Sequence, residues 1–382
     1  MAGRHLVISR ARRGAAICLA LAVAVLGVES TWTADARASR TTTPVTTIPT
    51  WSASVTASQD GQPYSYTMVG QDPRVPHTNA TTTITANVIP IVLKFPHRIT
   101  FDPTKASCGE STSAVNATLD SPVFQDTNYT VGGTFIGDTQ FADAFQRANF
   151  WAYTNPHGVN PGYHVLLTPF LAKRISIHVP SGSFGEVVPA TGGCGSYAII
   201  TRDFAISQLT QLLPKLHHRA FGVSPATFPI FLLHNVIIGD TLSGPTYALG
   251  VHYWFQTPSY FNDLRQTFAF ADFEDSGALS PAQDVLDLAH EVAEWIDDPY
   301  YQNATPSWGN TVGNPGCQSV LEVGDPLNES SVPVTLGGVT YHVQDLAFAS
   351  WFYGQGPSPA NGAYSFEGTF TGQAPLCPPG GP

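Results

Sequence analysis

Charge is scarce in this sequence of 382 residues, and positive charge is the scarcest. Only 12% of the residues are charged, with 17 Lys and Arg against 28 Asp and Glu and a formal net charge of -11. Nucleic-acid binding depends on clusters of Lys and Arg that neutralise phosphates, and four lysines in the whole chain form no such cluster. Hydrophobic residues at 43% and aromatic residues at 11% argue against disorder, so most of the chain is expected to fold.

Several catalytic signatures are also missing. No GxSxG sequence occurs that would hold a serine nucleophile at a strand-to-helix turn. Neither GxGxxG nor GxxxxGKS/T occurs, so a phosphate-binding loop is not indicated. No CxxC pair occurs, so a thiolate zinc site or thioredoxin-like chemistry is not indicated either.

The first 38 residues have the pattern of an export signal. Basic residues precede an apolar run at 14–28, which is shorter than the roughly 20 residues that a membrane-spanning helix needs. Ala36 and Ala38 provide the small residues of a signal-peptidase site, so we predict cleavage after Ala38, with an uncleaved anchor as the alternative. The mature protein is therefore expected to be secreted, to the extracellular space or the cell envelope, and not to associate with the membrane.

The cysteines agree with export. Four remain after the signal is removed, at Cys108, Cys194, Cys317 and Cys377. An even number outside the cytoplasm indicates two disulfides, for which there are three possible connectivities. Proximity along the chain favours Cys108–Cys194 and Cys317–Cys377.

Beyond the signal, the composition divides the chain in two. Residues 39–60 are rich in Thr and Ser without periodicity, and we predict a flexible leader there. Residues 61–382 mix predicted strands and helices, which indicates a single domain of the α/β or α+β class. Gly137 and Asp138 are expected to open a helix whose apolar stripe begins at Phe141. Buried strands are predicted at 88–95 and 228–238, and further strands at 163–170, 175–180, 197–204, 247–255 and 267–273.

The segment 280–298, SPAQDVLDLAHEVAEWIDD, predicts a helix with an unusual distribution of charge. Ser280 suits the N-cap, Pro281 suits the first helical position, and Pro299 ends the pattern. At about 100° per residue, six acidic residues and His290 lie within roughly 140° of arc, and the other positions from 285 to 296 are apolar. The helix is therefore expected to lie deep against the core with a narrow polar strip.

That strip predicts a metal site. His290 and Glu294, four residues apart, face the same way and can bind one cation, and Glu291 can then serve as a base. The sequence HEVAE differs from the zincin pattern HExxH because Glu294 replaces the second histidine. Zinc is the leading candidate, with manganese, iron and calcium as alternatives. A solvated acidic face is the structural alternative, although without Lys or Arg its charges would repel.

Residues outside the helix complete the predicted site. Glu322 is the expected third ligand, and Asp325 and Asp298 are expected to orient ligands or to replace one. The acids at 322 and 325 could instead cap a turn. His252 is expected to stabilise an oxyanion, with a satisfied core histidine as its alternative, and His234 is expected in the core.

With these segments the chain resembles the exordium-type (phosphate-induced) secreted proteins, which have a HELAEAxTDP-like helix followed by an EIGD or ENGD segment. The corresponding residues here are 290–299, HEVAEWIDDP, and 322–325, EVGD. The resemblance spans about residues 85 to 350 and is strongest at the helix. It implies a zincin-like domain with a central mixed sheet, a long helix at the metal site, and a metal bound by the His, the Glu and the later acids.

Together these features predict a secreted, metal-dependent hydrolase that resembles a metallopeptidase. His290, Glu294 and Glu322 would bind the metal, Glu291 would accept the proton of the attacking water, and a peptide or protein would be the substrate. The alternative is a non-catalytic binding or signalling protein with a structural cation. A carbohydrate-associated protein is a third interpretation, which rests on the aromatic residues Tyr300, Tyr301 and Trp308.

Overall fold

The computed structural model describes residues 47–217, 220–244, 247–257, 263–309, 311, 316–328 and 330–377. The predicted export signal at 1–38 lies outside these residues. The structure is mixed α/β, with 38% of residues in strands and 17% in helices, so the predicted class is confirmed. Among the described residues, no helix has both the length and the apolar composition needed to cross a membrane.

The helices are short, and the strands are numerous. The α-helices are α1 (Ala114–Leu119), α2 (Phe141–Asn149), α3 (Trp151–Thr154), α4 (Arg202–Leu212), α5 (Leu286–Asp297) and α6 (Ala349–Phe352). The strands of the first half are β1 (Thr50–Thr56), β2 (Pro63–Val69), β3 (Thr81–Lys94), β4 (Thr100–Phe101), β5 (Thr127–Val131), β6 (Thr134–Thr139), β7 (His164–Leu171), β8 (Ile175–His178) and β9 (Gly185–Pro189). Those of the second half are β10 (Ser196–Thr201), β11 (Thr227–His234), β12 (Val236–Gly239), β13 (Tyr247–Ala248), β14 (Gly250–Gln256), β15 (Arg265–Phe273), β16 (Ala304–Gly309), β17 (Cys317–Val320), β18 (Ser331–Leu336) and β19 (Val339–Gln344).

A mixed sheet of seven strands organises the fold. Its order is β14–β15–β11–β3–β4, and β7 and β8 pair in turn with successive parts of the long strand β3. Strands β7, β3, β11 and β15 run parallel, whereas β14 is antiparallel to β15. A second sheet has the order β13–β12–β10–β9. Antiparallel hairpins β1–β2, β5–β6, β16–β17 and β18–β19 complete the described strands.

Side chains on both faces of the large sheet are buried, because the residues of its central strands alternate between two hydrophobic cores. In β11, Phe228 and Ile230 lie in the core that contains α2 and α5. Phe231 and Leu233 lie in the core that contains Phe204 of α4, whereas Leu232 between them lies in the first core with Ile230. This arrangement explains the continuous apolar run that predicted a buried strand, since a strand covered on both faces needs no polar side.

The predicted strand at 228–238 is nevertheless two strands. Asn235 has a φ of 55°, in the left-handed region that asparagine tolerates better than most residues. Its backbone N–H donates to the carbonyl of Phe273, and its side chain donates to Asp275. The chain turns there, and β12 continues in the second sheet beside β10.

The helix predicted at 280–298 is also shorter than expected, because α5 begins at Leu286. Asp284 has a φ of 42° and exchanges backbone hydrogen bonds with Glu274, so it belongs to a bridge and not to a helical turn. Its carboxylate also accepts a hydrogen bond from the backbone of His342. Ser280 and Pro281 therefore do not cap α5, and the predicted start was wrong.

Two predictions near the N-terminus were wrong as well. The predicted leader at 39–60 contains β1, which is held by β2 and by the burial of Ile48 and Trp51. An isolated pair of aliphatic and aromatic residues was enough to anchor a segment that is otherwise Thr- and Ser-rich. Asp138 does not cap a helix, because it pairs with Asn128 between β5 and β6, and α2 begins at Phe141. The apolar stripe of that helix is buried as expected.

Both disulfides have the connectivity that sequence proximity favours. Cys108 bonds to Cys194 and Cys317 bonds to Cys377, with Cα–Cα distances of 5.4 and 6.0 Å. Disulfides persist in oxidising compartments, so they indicate an extracellular environment.

Candidate metal centre

Helix α5 buries its acidic strip as completely as its apolar face. Every residue from Leu286 to Asp297 is buried, and Glu294 is only 2% exposed. On the apolar face, Trp295 stacks on Phe228 with 3.8 Å between ring centroids. A solvated acidic face is therefore excluded. Carboxylates in such a place need hydrogen bonds, opposite charges or a cation.

His290 is oriented so that one ring nitrogen faces only carboxylates. Its Nε2 lies 3.0 Å from Glu294 Oε2 and 3.7 Å from Asp325 Oδ1. Its Nδ1 donates to Gln344 Oε1 at 3.0 Å, and the amide of Gln344 is itself held by a hydrogen bond of 2.5 Å to the carbonyl of Gly324. Metal-binding histidines characteristically donate their second nitrogen in this way, which leaves the first free to bind the metal.

His252, on β14, faces the same helix from the sheet. Its Nδ1 lies 3.3 Å from Glu291 Oε2 and 3.5 Å from Glu294 Oε2. Its Nε2 donates to the backbone carbonyl of Asp298 at 3.1 Å. His252 therefore belongs to the site and is not an isolated core histidine.

Glu294 joins the two histidines. Its Oε2 faces both imidazoles, while its Oε1 accepts backbone hydrogen bonds from Gly324 at 3.1 Å and Asp325 at 3.3 Å. Burial alone would raise the pKa of Glu294, but His290 and His252 hold it below its ordinary value. Glu294 is therefore the ionised centre of the cluster.

Neighbouring carboxylates raise the pKa values of both histidines. Burial would lower the pKa of His252, but its hydrogen bonds with Glu291 and Glu294 raise it to about 10. The charge of Glu294 likewise outweighs burial and holds the pKa of His290 well above its ordinary value. Each imidazole thus takes up a proton unless a cation provides the positive charge in its place.

Two glycines allow these close approaches. A Cβ on Gly324 would lie 2.5 Å from His290 Nδ1, and a Cβ on Gly250 would lie 2.4 Å from Glu291 Oε1. Any larger residue would displace the imidazole or the carboxylate. The chain therefore packs bare backbone against the functional face of α5 at two separate points.

Five buried side chains form two groups of potential ligands that share Glu294. In each group the three ligand atoms lie within 4.8 Å of one another. One group is His290, Glu294 and Asp325, and the other is His252, Glu291 and Glu294. Imidazole combined with carboxylate suits zinc, manganese or iron, and the donor set alone does not select among them.

The remaining predicted residues lie at the edges of this cluster. Glu322 is buried, but it belongs to neither group of three, and its Oε1 lies 3.9 Å from His252 Nε2. Asp298 uses its carboxylate to accept backbone hydrogen bonds from Gln302 and Asn303 at 2.9 and 2.8 Å. Asp298 thus caps the turn after α5 and orients His252 through its own carbonyl.

Some residues that contribute to the site could not be recognised from the sequence. Gln344 lies 54 residues after His290 in no recognisable motif, whereas Gly324 stands inside the EVGD segment that was singled out. Asp287 is one of the six acidic residues of the predicted strip, but no role at the metal site was predicted for it. It lines the same cavity as His290, and its buried Oδ2 accepts no hydrogen bond from the described residues. Burial raises the pKa of Asp287 to about 7.

A cavity of about 430 Å³ opens beside the cluster. Its lining includes the ionisable residues His252, Asp287, His290, Glu291, Glu294, Glu322 and Asp325. The rest is lined mainly by apolar residues from α4, β12, β14 and the segment before α5. The metal-binding groups therefore have access to a space that a substrate can enter.

A second histidine cluster does not form a catalytic triad. His234 is buried as predicted, and its Nε2 lies 3.1 Å from Ser107 Oγ and 3.0 Å from Asp275 Oδ2. Ser107 donates directly to Asp275. Because the serine and the carboxylate meet the same ring nitrogen, the histidine cannot relay a proton between them as in Ser-His-Asp hydrolases.

The three aromatic residues that suggested carbohydrate binding do not form an exposed surface. Trp308 is fully buried and contacts Trp351 and Phe352 edge to face. Tyr300 and Tyr301 are half-buried beside Arg265 and His252 respectively.

No protein-family model matches this chain, and neither the curated proteins nor the solved structures include a significant match.

Proposed function

We propose that this protein is a metal-dependent hydrolase that acts on peptides or proteins outside the cytoplasm. The observation that supports it best is the buried group His290, Glu294 and Asp325, whose three ligand atoms lie within 4.8 Å beside an accessible cavity. In this proposal Asp325 replaces Glu322 as the third ligand, because Asp325 lies on the His290 side of Glu294. Zinc remains the leading metal, with manganese and calcium as alternatives.

The chain supplies the other parts of a hydrolytic site. A metal in the His290 group would lower the pKa of a water molecule bound to it. Glu291, next to His290 on the helix, is the proposed acceptor of the proton that the water loses. His252 is the proposed donor to the negative oxygen that develops on the attacked carbonyl, a role in which its Nδ1 would turn from Glu291 and Glu294 towards that oxygen.

The exordium-like and zincin-like resemblance belongs to the same proposal. The helix with HEVAE, the later EVGD segment and a mixed sheet beside the helix are the features that support it. Helix α5 is 12 residues long, which is shorter than the resemblance implied.

A structural cation in a non-catalytic protein is the second candidate. The excess of carboxylates over imidazoles favours it, since calcium takes oxygen ligands. The cavity argues against it, because a structural site has no need of an open side.

The test compares two variants of the mature protein. Glu291→Gln should retain the metal by elemental analysis and lose hydrolysis of an unstructured protein substrate by about 100-fold or more, the effect of removing a general base. His290→Ala should lose both metal and activity. The exposed Glu186 provides the control, since Glu186→Gln should change neither. Full activity of Glu291→Gln would refute the assignment of the base.

A further inference from the structure

The cavity beside the metal centre is lined by the ionisable cluster and by many apolar side chains. Apart from that cluster, the lining includes an apolar wall formed by Ile206 and Leu209 of α4, Ile238 of β12, Phe270 of β15 and Leu279. Most of these side chains are only half-buried, so their apolar atoms face the open space of the cavity. Apolar surface exposed inside a concave pocket, with a few polar groups converging at one end, is typical of ligand sites.

Apolar residues of the wall also lie close in sequence to the two histidines of the site. Leu286 lines the cavity one helical turn before His290, and Val251 lines it immediately before His252. A substrate whose carbonyl group meets His290 and His252 would therefore place its neighbouring side chain on this wall. The wall is supplied by α4, β12, β14, β15, α5 and the segment before α5, so it is a property of the fold and not of one loop.

Charge restricts the choice of that side chain. Among the described lining residues, Arg202 is the only Lys or Arg, and its guanidinium pairs with Asp240. An acidic side chain would meet no unpaired cation and would face the carboxylates of the cluster. A basic side chain could approach those carboxylates only by leaving the aliphatic wall uncovered.

We infer that the cavity binds a large apolar side chain, such as that of Leu or Phe, adjacent to the bond that the enzyme attacks. The existence of an attacked bond rests on the proposed function. The preference of the cavity for an apolar side chain does not require turnover. The substrate class is thus a peptide with a bulky apolar residue next to the scissile bond.

The test measures binding in the Glu291→Gln background, where turnover is blocked. Fluorescein-labelled hexapeptides that differ only in a central Leu, Phe, Gly, Asp or Lys are titrated by fluorescence anisotropy. Leu and Phe should bind about tenfold or more tightly than Gly, because burial of such a side chain is favourable. Asp should bind no better than Gly.

Substitutions then locate the preference. Ile206→Asp should abolish the advantage of Leu and Phe, and Ile206→Ala should reduce it if the charged variant fails to fold. Ile175 on β8 is similarly half-buried but does not line the cavity, so Ile175→Asp should retain the preference. Metal content should be the same in all of these variants.

The outcomes separate this inference from the proposed function. A preference for Lys, equal binding of all five peptides, or a preference that survives both Ile206 substitutions would each overturn the apolar assignment. A Leu and Phe preference in a protein that binds no metal would support the cavity assignment and refute the hydrolase.

Discussion

At the scale of single residues, the space left by a missing side chain decides whether the metal centre can form. Gly324 has ordinary helical dihedral angles, with φ at -87° and ψ at -36°, so alanine suits its backbone. Its obstacle is the ring of His290, which a Cβ would approach to 2.5 Å. The glycine is required by packing and not by backbone conformation.

We therefore expect Gly324→Ala to displace His290 and to weaken metal binding by at least tenfold, with an overpacking cost of about 1–3 kcal/mol in unfolding free energy. Equilibrium dialysis and urea denaturation measure the two effects. Gly356 is exposed, and a Cβ there would meet nothing within 4 Å, so Gly356→Ala should behave as wild type. Unchanged metal affinity in Gly324→Ala would show that His290 is not a ligand.

Asp297 shows how burial of a single carboxyl affects stability. It is fully buried at the end of α5, and its Oδ1 accepts a hydrogen bond of 2.5 Å from Gln146. Burial raises its pKa from an ordinary value near 4 to about 8. The folded protein therefore holds a proton that the unfolded chain releases, so this stabilisation is complete below about pH 4 and is lost as the pH rises through 8.

Asp297→Asn should remove that dependence, because the amide cannot ionise and its carbonyl can still accept from Gln146. The variant should gain stability relative to wild type as the pH rises from 5 to 9. Each unit of pKa separation is worth about 1.4 kcal/mol, so a difference of more than 1 kcal/mol is expected. Urea unfolding at several pH values measures it. A constant difference across this range would mean that Asp297 stays ionised.

The residues of the candidate metal site differ in whether their roles could be predicted from the sequence. His290, Glu291 and Glu294 were predictable because one helical pattern places them on one face. The choice between Glu322 and Asp325 was not, since it depends on how the EVGD segment turns: Gly324 and Asp325 direct their backbone N–H groups at Glu294. Gln344 was beyond prediction because only tertiary packing brings β19 to the helix.

At the scale of elements, strong hydrophobic periodicity predicted that a helix or a strand exists and which of the two it is. Local contacts set the residues at which each element begins and ends. The 3.6-residue pattern of α5 continued back to Ser280, yet the helix starts six residues later, where the bridge from Glu274 to Asp284 ends. The apolar run of β11 continued through Asn235, yet a single left-handed residue transfers the chain to another sheet. Neither the bridge between Glu274 and Asp284 nor the turn at Asn235 has a distinctive local sequence. The sequence therefore indicated neither feature.

These boundary changes matter for function. Leu279 and Ala282, which line the cavity, belong to the non-helical segment that leads to the bridge residue Asp284. The switch at Asn235 leads into β12, whose Ile237 and Ile238 line the same cavity. Part of the cavity lining therefore comes from segments that the hydrophobic patterns had assigned to a longer α5 and a longer β11.

At the scale of the whole molecule, the buried site lies where three separate regions of the chain meet. Strand β14 supplies His252, helix α5 supplies His290, Glu291 and Glu294, and the turn at 325–327 supplies Asp325. Disulfide Cys317–Cys377 closes a separation of 60 residues around the segment that carries Asp325. Closing a loop of that size restricts the unfolded chain by about 4 kcal/mol in the chain-entropy model.

Because those regions meet only in the folded state, a bound cation should stabilise the whole molecule. We expect one equivalent of metal in the purified mature protein, and we expect a chelator to lower Tm by several degrees. A ligand at 100 times its Kd stabilises by about 2.7 kcal/mol. The metal must displace the proton of His290, whose pKa is raised by Glu294 despite burial, so affinity should fall as the pH falls.

Elemental analysis and thermal unfolding with and without chelator, at pH 6 and 8, measure these effects. His290→Ala should abolish the response to chelator, whereas His178→Ala, at an exposed position on β8, should retain it. Two equivalents of metal would place a second cation between His252 and Glu291, and Glu291 would then be a ligand and not the base. A Tm that is insensitive to chelator, in a protein with no bound metal, would leave the cluster as an ion-pair network of imidazolium and carboxylate groups. In that case Glu294 would serve the stability of α5 alone, because its neighbours' protons would already balance its charge.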